Sequence, residues 1–169
     1  MKRPMTPRGY ASLRAELTRL KAMRPDLARA IEIARGHGDL SENGDYDAAK
    51  EKSGMTEAKI RDIEARLALA EVIDPLKFGE LSRVVFGSSV CVEDVDSGDR
   101  RVFSIFGAEE SDIEKGWISY ETPIGKALIG KEVGDIAKVA LPGGAREYEV
   151  VEIFVSYEVD SALQVSETE

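Results

Sequence analysis

The sequence predicts an α+β protein in which a long antiparallel helical hairpin precedes a small antiparallel β domain with one short helix. Up to about residue 75, apolar side chains recur at alternating spacings of four and three, which is the heptad period of paired helices. After residue 82 the pattern changes to the period of two that is typical of half-buried strands. We therefore expect a coiled-coil hairpin over residues 1–75, a linker over 76–82, a β domain over 83–157 and a flexible acidic tail over 158–169.

The first arm of the hairpin has an apolar seam that is broken once, at Arg24. Pro25 follows the break, and a proline inside a helix removes a backbone donor and clashes with the preceding turn. We therefore expect a bend near Arg24. The seam consists of Leu13, Leu17, Leu20, Leu27, Ile31 and Ala34.

The second arm repeats this spacing, and a short link over residues 36–39 joins the two arms. Neither arm can bury its seam alone, so antiparallel packing within one chain is favoured, and we expect a monomer. At about 1.5 Å per residue the hairpin spans roughly 40 Å, which places its tip far from the β domain. The second seam consists of Tyr46, Ala49, Ser53, Thr56, Ile60, Ile63, Leu67 and Ala70.

The β domain is predicted to contain six strands and one helix. Thr122 as N-cap, Pro123 at the first helical position and Gly130 after the end bracket that helix. The predicted strands are Arg83–Phe86, Ser89–Val95, Arg101–Phe106, Trp117–Tyr120, Ile136–Ala140 and Glu147–Ser156.

Charge and composition exclude several classes of function. The net charge of −9 divides into +2 for residues 1–79 and −11 for residues 80–169, which argues against wrapping nucleic acid by bulk charge. The single cysteine, Cys91, excludes an internal disulfide framework and a thiolate metal cluster. No run of about 18 apolar residues is present, so we expect a cytoplasmic protein with no membrane partner.

The predicted tip concentrates acidic residues, with four carboxylates and no Lys or Arg in residues 36–47. Asp39 and Glu42 could serve as a partial Mg²⁺ site that a partner completes, because Mg²⁺ is usually held by one or two carboxylates plus other oxygens. The same two residues also fit a capping box, with Asp39 as N-cap and Glu42 at the third helical position. His37 fits either a proton shuttle or a solvated loop residue. Arg35 and Lys50, which flank the acids, could bind a phosphate backbone or offset the local negative charge.

These residues resemble the tip signature of the bacterial transcript cleavage factors of the GreA/GreB family. The similarity includes residues 34–43 with Asp45 and Tyr46, and continues through residues 122–124, 128–132 and 142–144. Leu40 and residues 48–51 favour the GreA branch. Ser41, Gly44 and the acidic tail depart from the family pattern.

The resemblance implies that the hairpin enters the secondary channel of bacterial RNA polymerase and that an FKBP-like second domain docks at the rim. It implies that Asp39 and Glu42 help the polymerase to hold its second Mg²⁺ and to position water. The polymerase then cleaves the backtracked RNA endonucleolytically. By the same resemblance, Arg35 and Lys50 contact that RNA. The protein would activate the polymerase without being an enzyme itself, and no tightly bound cofactor is expected.

Three alternatives remain open at this point. An antagonist of the same fold would block the polymerase channel, and Asp45 and Asp47 supply the additional tip acids for trapping metal. A prolyl isomerase would need an aromatic-lined pocket, whereas the aromatic residues of the β domain are typical of core positions. A purely structural helical adaptor would be indifferent to loss of the tip acids.

Overall fold

A computed structural model describes residues 2–38 and 43–158 of the chain, which forms two compact units. One unit consists of Ser12–Ala70, and the other combines Lys2–Ala11 with the chain from Glu71 onward. The predicted α+β class is confirmed. Within the described residues, no helix has the length and apolar character needed to cross a bilayer.

Three helices make up the hairpin: α1 (Pro7–Ala22), α2 (Arg24–Arg35) and α3 (Gly44–Ala68). The predicted interruption near Arg24 is confirmed, because the first arm divides at Met23 and Pro25 occupies the second position of α2. There the missing N–H of proline costs little, since the first N–H groups of a helix have no partner within it.

The predicted seams account for the buried faces of the two arms. Arg24, the one break in the first seam, is exposed. The buried positions are Leu13, Leu20, Leu27, Ala34, Thr56, Ile60 and Ile63. The half-buried positions are Leu17, Ile31, Tyr46, Ala49, Ser53, Leu67 and Ala70.

The second unit is built around a five-stranded sheet with the strand order β5-β4-β3-β7-β6. Its strands are β3 (Ser89–Asp94), β4 (Arg100–Phe106), β5 (Trp117–Ser119), β6 (Ile136–Leu141) and β7 (Gly144–Phe154). The core contains Val90, Val92, Ile105, Leu128, Val139 and Val150, and α4 (Pro123–Leu128) covers it. The predicted cap of α4 is confirmed, because the Thr122 side chain accepts a hydrogen bond from the Gly125 N–H.

Two short strands, β1 (Arg3–Met5) and β2 (Ala70–Val72), form a separate two-stranded sheet that the sequence patterns did not predict. Each has only three residues, which is too short for an alternating pattern to be recognised. Three short 3₁₀ helices complete the described structure, at Pro75–Lys77, Ala108–Glu110 and Ile113–Lys115.

Two details of the predicted sheet are wrong. Residues 83–86 form no strand; instead the buried Val84 exchanges two backbone hydrogen bonds with Gly130 and Lys131, and the Ser88 hydroxyl closes the following turn. The sheet is also not wholly antiparallel, because β4 and β5 pair in parallel. The two 3₁₀ helices between these strands provide the crossover that a parallel pair requires.

Candidate functional site at the hairpin tip

One side chain, that of Asn43, connects the two arms at the tip. Its Oδ1 accepts a hydrogen bond from the Tyr46 N–H at 3.0 Å, which makes Asn43 the N-cap of α3. Its Nδ2 donates to the Ala34 carbonyl near the end of α2. A single amide therefore satisfies an orphan donor of one helix and a carbonyl of the other.

In the described structure the N-cap of α3 is Asn43, directly before Gly44, and not Asp39, which the predicted capping box named for the helix of this arm. Asn is among the preferred N-cap residues, and its amide can donate as well as accept, which a carboxylate cannot do. Asp39 and Glu42 themselves lie outside the described residues.

The two basic residues that were predicted to contact RNA lie around one aromatic ring. The guanidinium carbon of Arg35 is 5.8 Å from the centre of the Tyr46 ring, and Lys50 Nζ is 5.2 Å from it. Lys50 follows Tyr46 by four residues on α3, so both side chains lie on one face. Arg35 and Lys50 hold the pKa of the Tyr46 phenol below its usual value, chiefly through a hydrogen bond with Arg35.

Tyr46 is the site residue that the sequence analysis did not identify. Its position in the heptad seam marked it as a packing residue, and it is indeed half-buried. The missed signal is the combination of a basic residue four positions later on the same helix with another basic residue at the end of the preceding helix. Such an arrangement places two cations beside one ring.

His37 and Asp45 form a second polar contact at the tip. Their side chains approach to 3.7 Å between Nδ1 and Oδ2, and both are largely exposed, at 56% and 80%. The geometry gives an ion pair only when His37 is protonated. The contact supplies a local partner for one of the tip acids and for the only histidine of the chain.

The described part of the chain has no group of three or more His, Cys, Asp or Glu side chains that could hold a metal ion. The two predicted acids supply carboxylate oxygens, which suit Mg²⁺, but two side chains fill only part of its octahedral coordination. This donor set fits a metal that is shared with another molecule.

Comparison with known proteins gives consistent matches over both units. Residues 3–72 match the family described as "Transcription elongation factor, N-terminal", and residues 80–154 match "Transcription elongation factor, GreA/GreB, C-term". A curated relative from Ralstonia nicotianae, "Transcription elongation factor GreA", is 51% identical over 148 residues, covering 87% of this chain and 94% of the relative. One of the same name from Hyphomonas neptunium is 50% identical over 151 residues, with 89% and 96% covered.

Solved structures of similar proteins were also found. The crystal structure of GreA factor homolog 1 from Thermus thermophilus is 29% identical, covers 90% of this chain and 99% of its own, and has a TM-score of 0.43. The resemblance read from the tip motif is confirmed by the family matches and the curated relatives. The chain belongs to the GreA/GreB family of transcription elongation factors.

Proposed function

We propose that this protein binds the secondary channel of bacterial RNA polymerase and stimulates the cleavage of backtracked RNA by the polymerase. The observation that carries the proposal is the cap of α3. Because Asn43 supplies the side-chain cap of α3, the capping of this helix does not fall to Asp39 or Glu42. A role toward a partner then accounts for two carboxylates at the end of a long hairpin.

In this proposal Asp39 and Glu42 offer carboxylate oxygens to a Mg²⁺ ion of the polymerase active centre. The bound Mg²⁺ would activate water or stabilise the leaving oxygen of the phosphodiester. The chain contributes position and negative charge, and the polymerase performs the cut. No tightly bound cofactor is needed, since two carboxylates alone make a weak site.

Arg35 and Lys50 would contact the phosphates of the extruded RNA 3′ end. Both lie at the tip, beside the segment that carries the two acids, and cations that face a phosphate backbone fix its position without reading its sequence. The acids would act at the scissile bond while the cations hold the strand. The remaining partner is the polymerase itself, bound by a monomer of this chain.

The experiment is RNA cleavage in stalled, backtracked complexes of the cognate polymerase. It compares wild type with Asp39→Ala plus Glu42→Ala, and includes Glu32→Ala plus Glu51→Ala as a control with the same change in charge on exposed arm positions. We expect the stimulated rate of cleavage to fall at least about 100-fold in the tip variant, a loss typical of removing active-centre groups. The tip variant should still compete with wild type for binding to the polymerase.

The other outcomes are equally informative. Inhibition of elongation by wild type without cleavage would support an antagonist that uses Asp45 or Asp47, both exposed at the tip. Equal loss in the tip variant and the arm control would show that general charge matters and not the two acids. Absence of any effect on the complex would refute a role at the polymerase.

A further inference from the structure

Arg35 and Lys50 are two like charges that share one ring. Neither forms an ion pair with a carboxylate of residues 2–38 or 43–158. In that part of the chain both side chains contact Tyr46, whose ring and phenol oxygen provide electron density in place of a carboxylate. Among the described residues, this arrangement holds two cations near each other beside one ring.

Tyr46 itself is firmly placed. Its N–H is bonded to Asn43, which also binds the carbonyl of Ala34, the residue immediately before Arg35. Its side chain is half-buried in the seam between the arms. The backbone that carries Tyr46 is therefore linked through one side chain to the backbone that carries Arg35.

We propose that Tyr46 is a positioning residue that holds Arg35 and Lys50 together as a two-cation site for consecutive phosphates of a single RNA strand. This inference rests on the proposed function and adds a residue to it. Long basic side chains lose conformational freedom when they bind phosphate, and a ring that restrains both in advance reduces that loss. Tyr46 acts through the two cations and does not contact the scissile bond.

The alternative role for Tyr46 is seam packing alone, and two substitutions at this position separate the roles. Tyr46→Phe keeps the ring and removes the hydroxyl, whereas Tyr46→Leu keeps an apolar seam residue and removes the ring contacts with both cations. Ile31→Ala is the packing control, because Ile31 is another half-buried seam residue without an aromatic ring. Competition with wild type for the polymerase verifies that each variant still binds.

The test measures stimulated cleavage of backtracked RNA as a function of salt. We expect Tyr46→Leu to lower the rate about tenfold and to flatten its salt dependence, with Tyr46→Phe in between. Adding Arg35→Ala to Tyr46→Leu should cost less than about twofold more, because residues that act as a unit are not additive. An unchanged rate, or a loss that matches Ile31→Ala and adds fully to Arg35→Ala, would overturn the inference. Wild type that stimulates no cleavage would instead refute the proposed function.

A titration of the free protein gives a second readout that packing alone would not move. The Tyr46 phenol is followed by ultraviolet absorbance as the difference between wild type and Tyr46→Phe. We expect its pKa to lie below the ordinary tyrosine value and to rise in Arg35→Gln, because the hydrogen bond with Arg35 is the largest cause of the shift. A pKa that is the same with and without Arg35 would contradict the proposed restraint.

Discussion

Arg8 and Arg35 each lie near an aromatic ring, and their surroundings differ in burial and in the counter-ion. In the β-sheet unit the Arg8 guanidinium carbon lies 4.1 Å from the Trp117 ring centre, and its Nε donates to Glu110 at 2.7 Å. The Arg8 and Glu110 side chains are only 12% and 3% exposed. At the tip, Arg35 is exposed and has Tyr46 beside it, with no carboxylate partner among the described residues. Burial and a matched counter-ion thus distinguish a structural arginine from one that is available to an external anion.

The buried pair makes further contacts within the same unit. The Thr6 hydroxyl also donates to Glu110, and the Arg8 N–H donates to the Tyr157 hydroxyl at 2.9 Å. A Cβ added to Gly9 would lie 2.6 Å from Glu110 Oε1, so the chain passes Glu110 at a distance that only glycine allows. These contacts hold residues 6–9 against Glu110 and Tyr157. Substitutions of buried and exposed charges should therefore differ strongly in their effect on stability.

Replacing Glu110 by Ala should destabilise the protein most. The substitution leaves Arg8 buried without its counter-ion, and breaking a buried pair in this way typically costs about 3–5 kcal/mol. Urea unfolding measures the change. Glu121→Ala is the control, because Glu121 pairs with Arg3 in the same unit but is 51% exposed, and it should remain close to wild type. Equal losses of unfolding free energy in the two variants would mean that burial does not determine how much these ion pairs stabilise the protein.

Replacing Asn43 by Ala should have the next largest effect, because it removes both the cap of α3 and the link to α2. Loss of an N-cap costs about 1 kcal/mol. Asn43→Asp separates the two roles, since the carboxylate can still accept from the Tyr46 N–H but cannot donate to the Ala34 carbonyl. We expect Asn43→Asp to retain more stability than Asn43→Ala in urea unfolding.

The same pair of variants tests whether the link matters for the tip. If the bond with Ala34 keeps Arg35 beside Tyr46, Asn43→Asp should lower stimulated RNA cleavage even where it preserves the helix. Amide hydrogen exchange of the first turn of α3 reports the cap independently of activity. Full cleavage by Asn43→Asp would show that the two arms hold the tip in register without this bond.

Much of the fold could be predicted from periodicity, because the burial of side chains follows it directly. The seam residues of both arms are buried or half-buried, and Arg24 is exposed where the pattern breaks. The parallel pairing of β4 with β5 was not predicted, because an alternating pattern gives the faces of a strand and not the direction of its neighbour. The strands β1 and β2 pair the segment before the first arm with the segment after the second arm. Local sequence patterns do not relate segments so far apart in the chain.

The tip shows where sequence patterns stop being informative. Arg35 and Lys50 were predicted to contact RNA, and that role stays a prediction. The ring beside both was assigned to packing, since a seam position and a cation-binding position look the same in sequence. Both Asp39 and Asn43 are good N-cap residues in the sequence. For Asn43 the structure adds a contact with Ala34, nine positions away, which local patterns do not reveal. The roles of Asp39 and Glu42 stay predictions.

Asp94 provides an intermediate case, with a buried carboxylate and an exposed partner. Hydrogen bonds from the N–H groups of Asp96 and Ser97, with a further contribution from Arg146, hold its pKa below the ordinary value of about 3.9. The folded state therefore gains stability above that value, and loses it as the pH falls through the lower folded pKa. We expect the difference in unfolding midpoint between wild type and Asp94→Asn to stay constant above about pH 5 and to shrink as the pH falls further toward about 2. A difference that stays constant over the whole range would mean that charge at Asp94 is not what stabilises the turn.

Replacing Glu57 by Gln should have the smallest effect, although the geometry of its ion pair is good. Two hydrogen bonds join Arg24 to Glu57, at 2.8 and 3.0 Å, and connect the two arms of the hairpin. Both side chains are exposed, at 47% and 38%, so water competes for each charge and salt screens the attraction. We expect the Tm to stay within error of wild type at physiological salt and to fall slightly only at low salt. Because this pair matches Arg8 and Glu110 in chemistry and distance, a loss comparable to that of Glu110→Ala would show that geometry decides the contribution of these ion pairs, and the contrast between the two regions would have to be explained without burial.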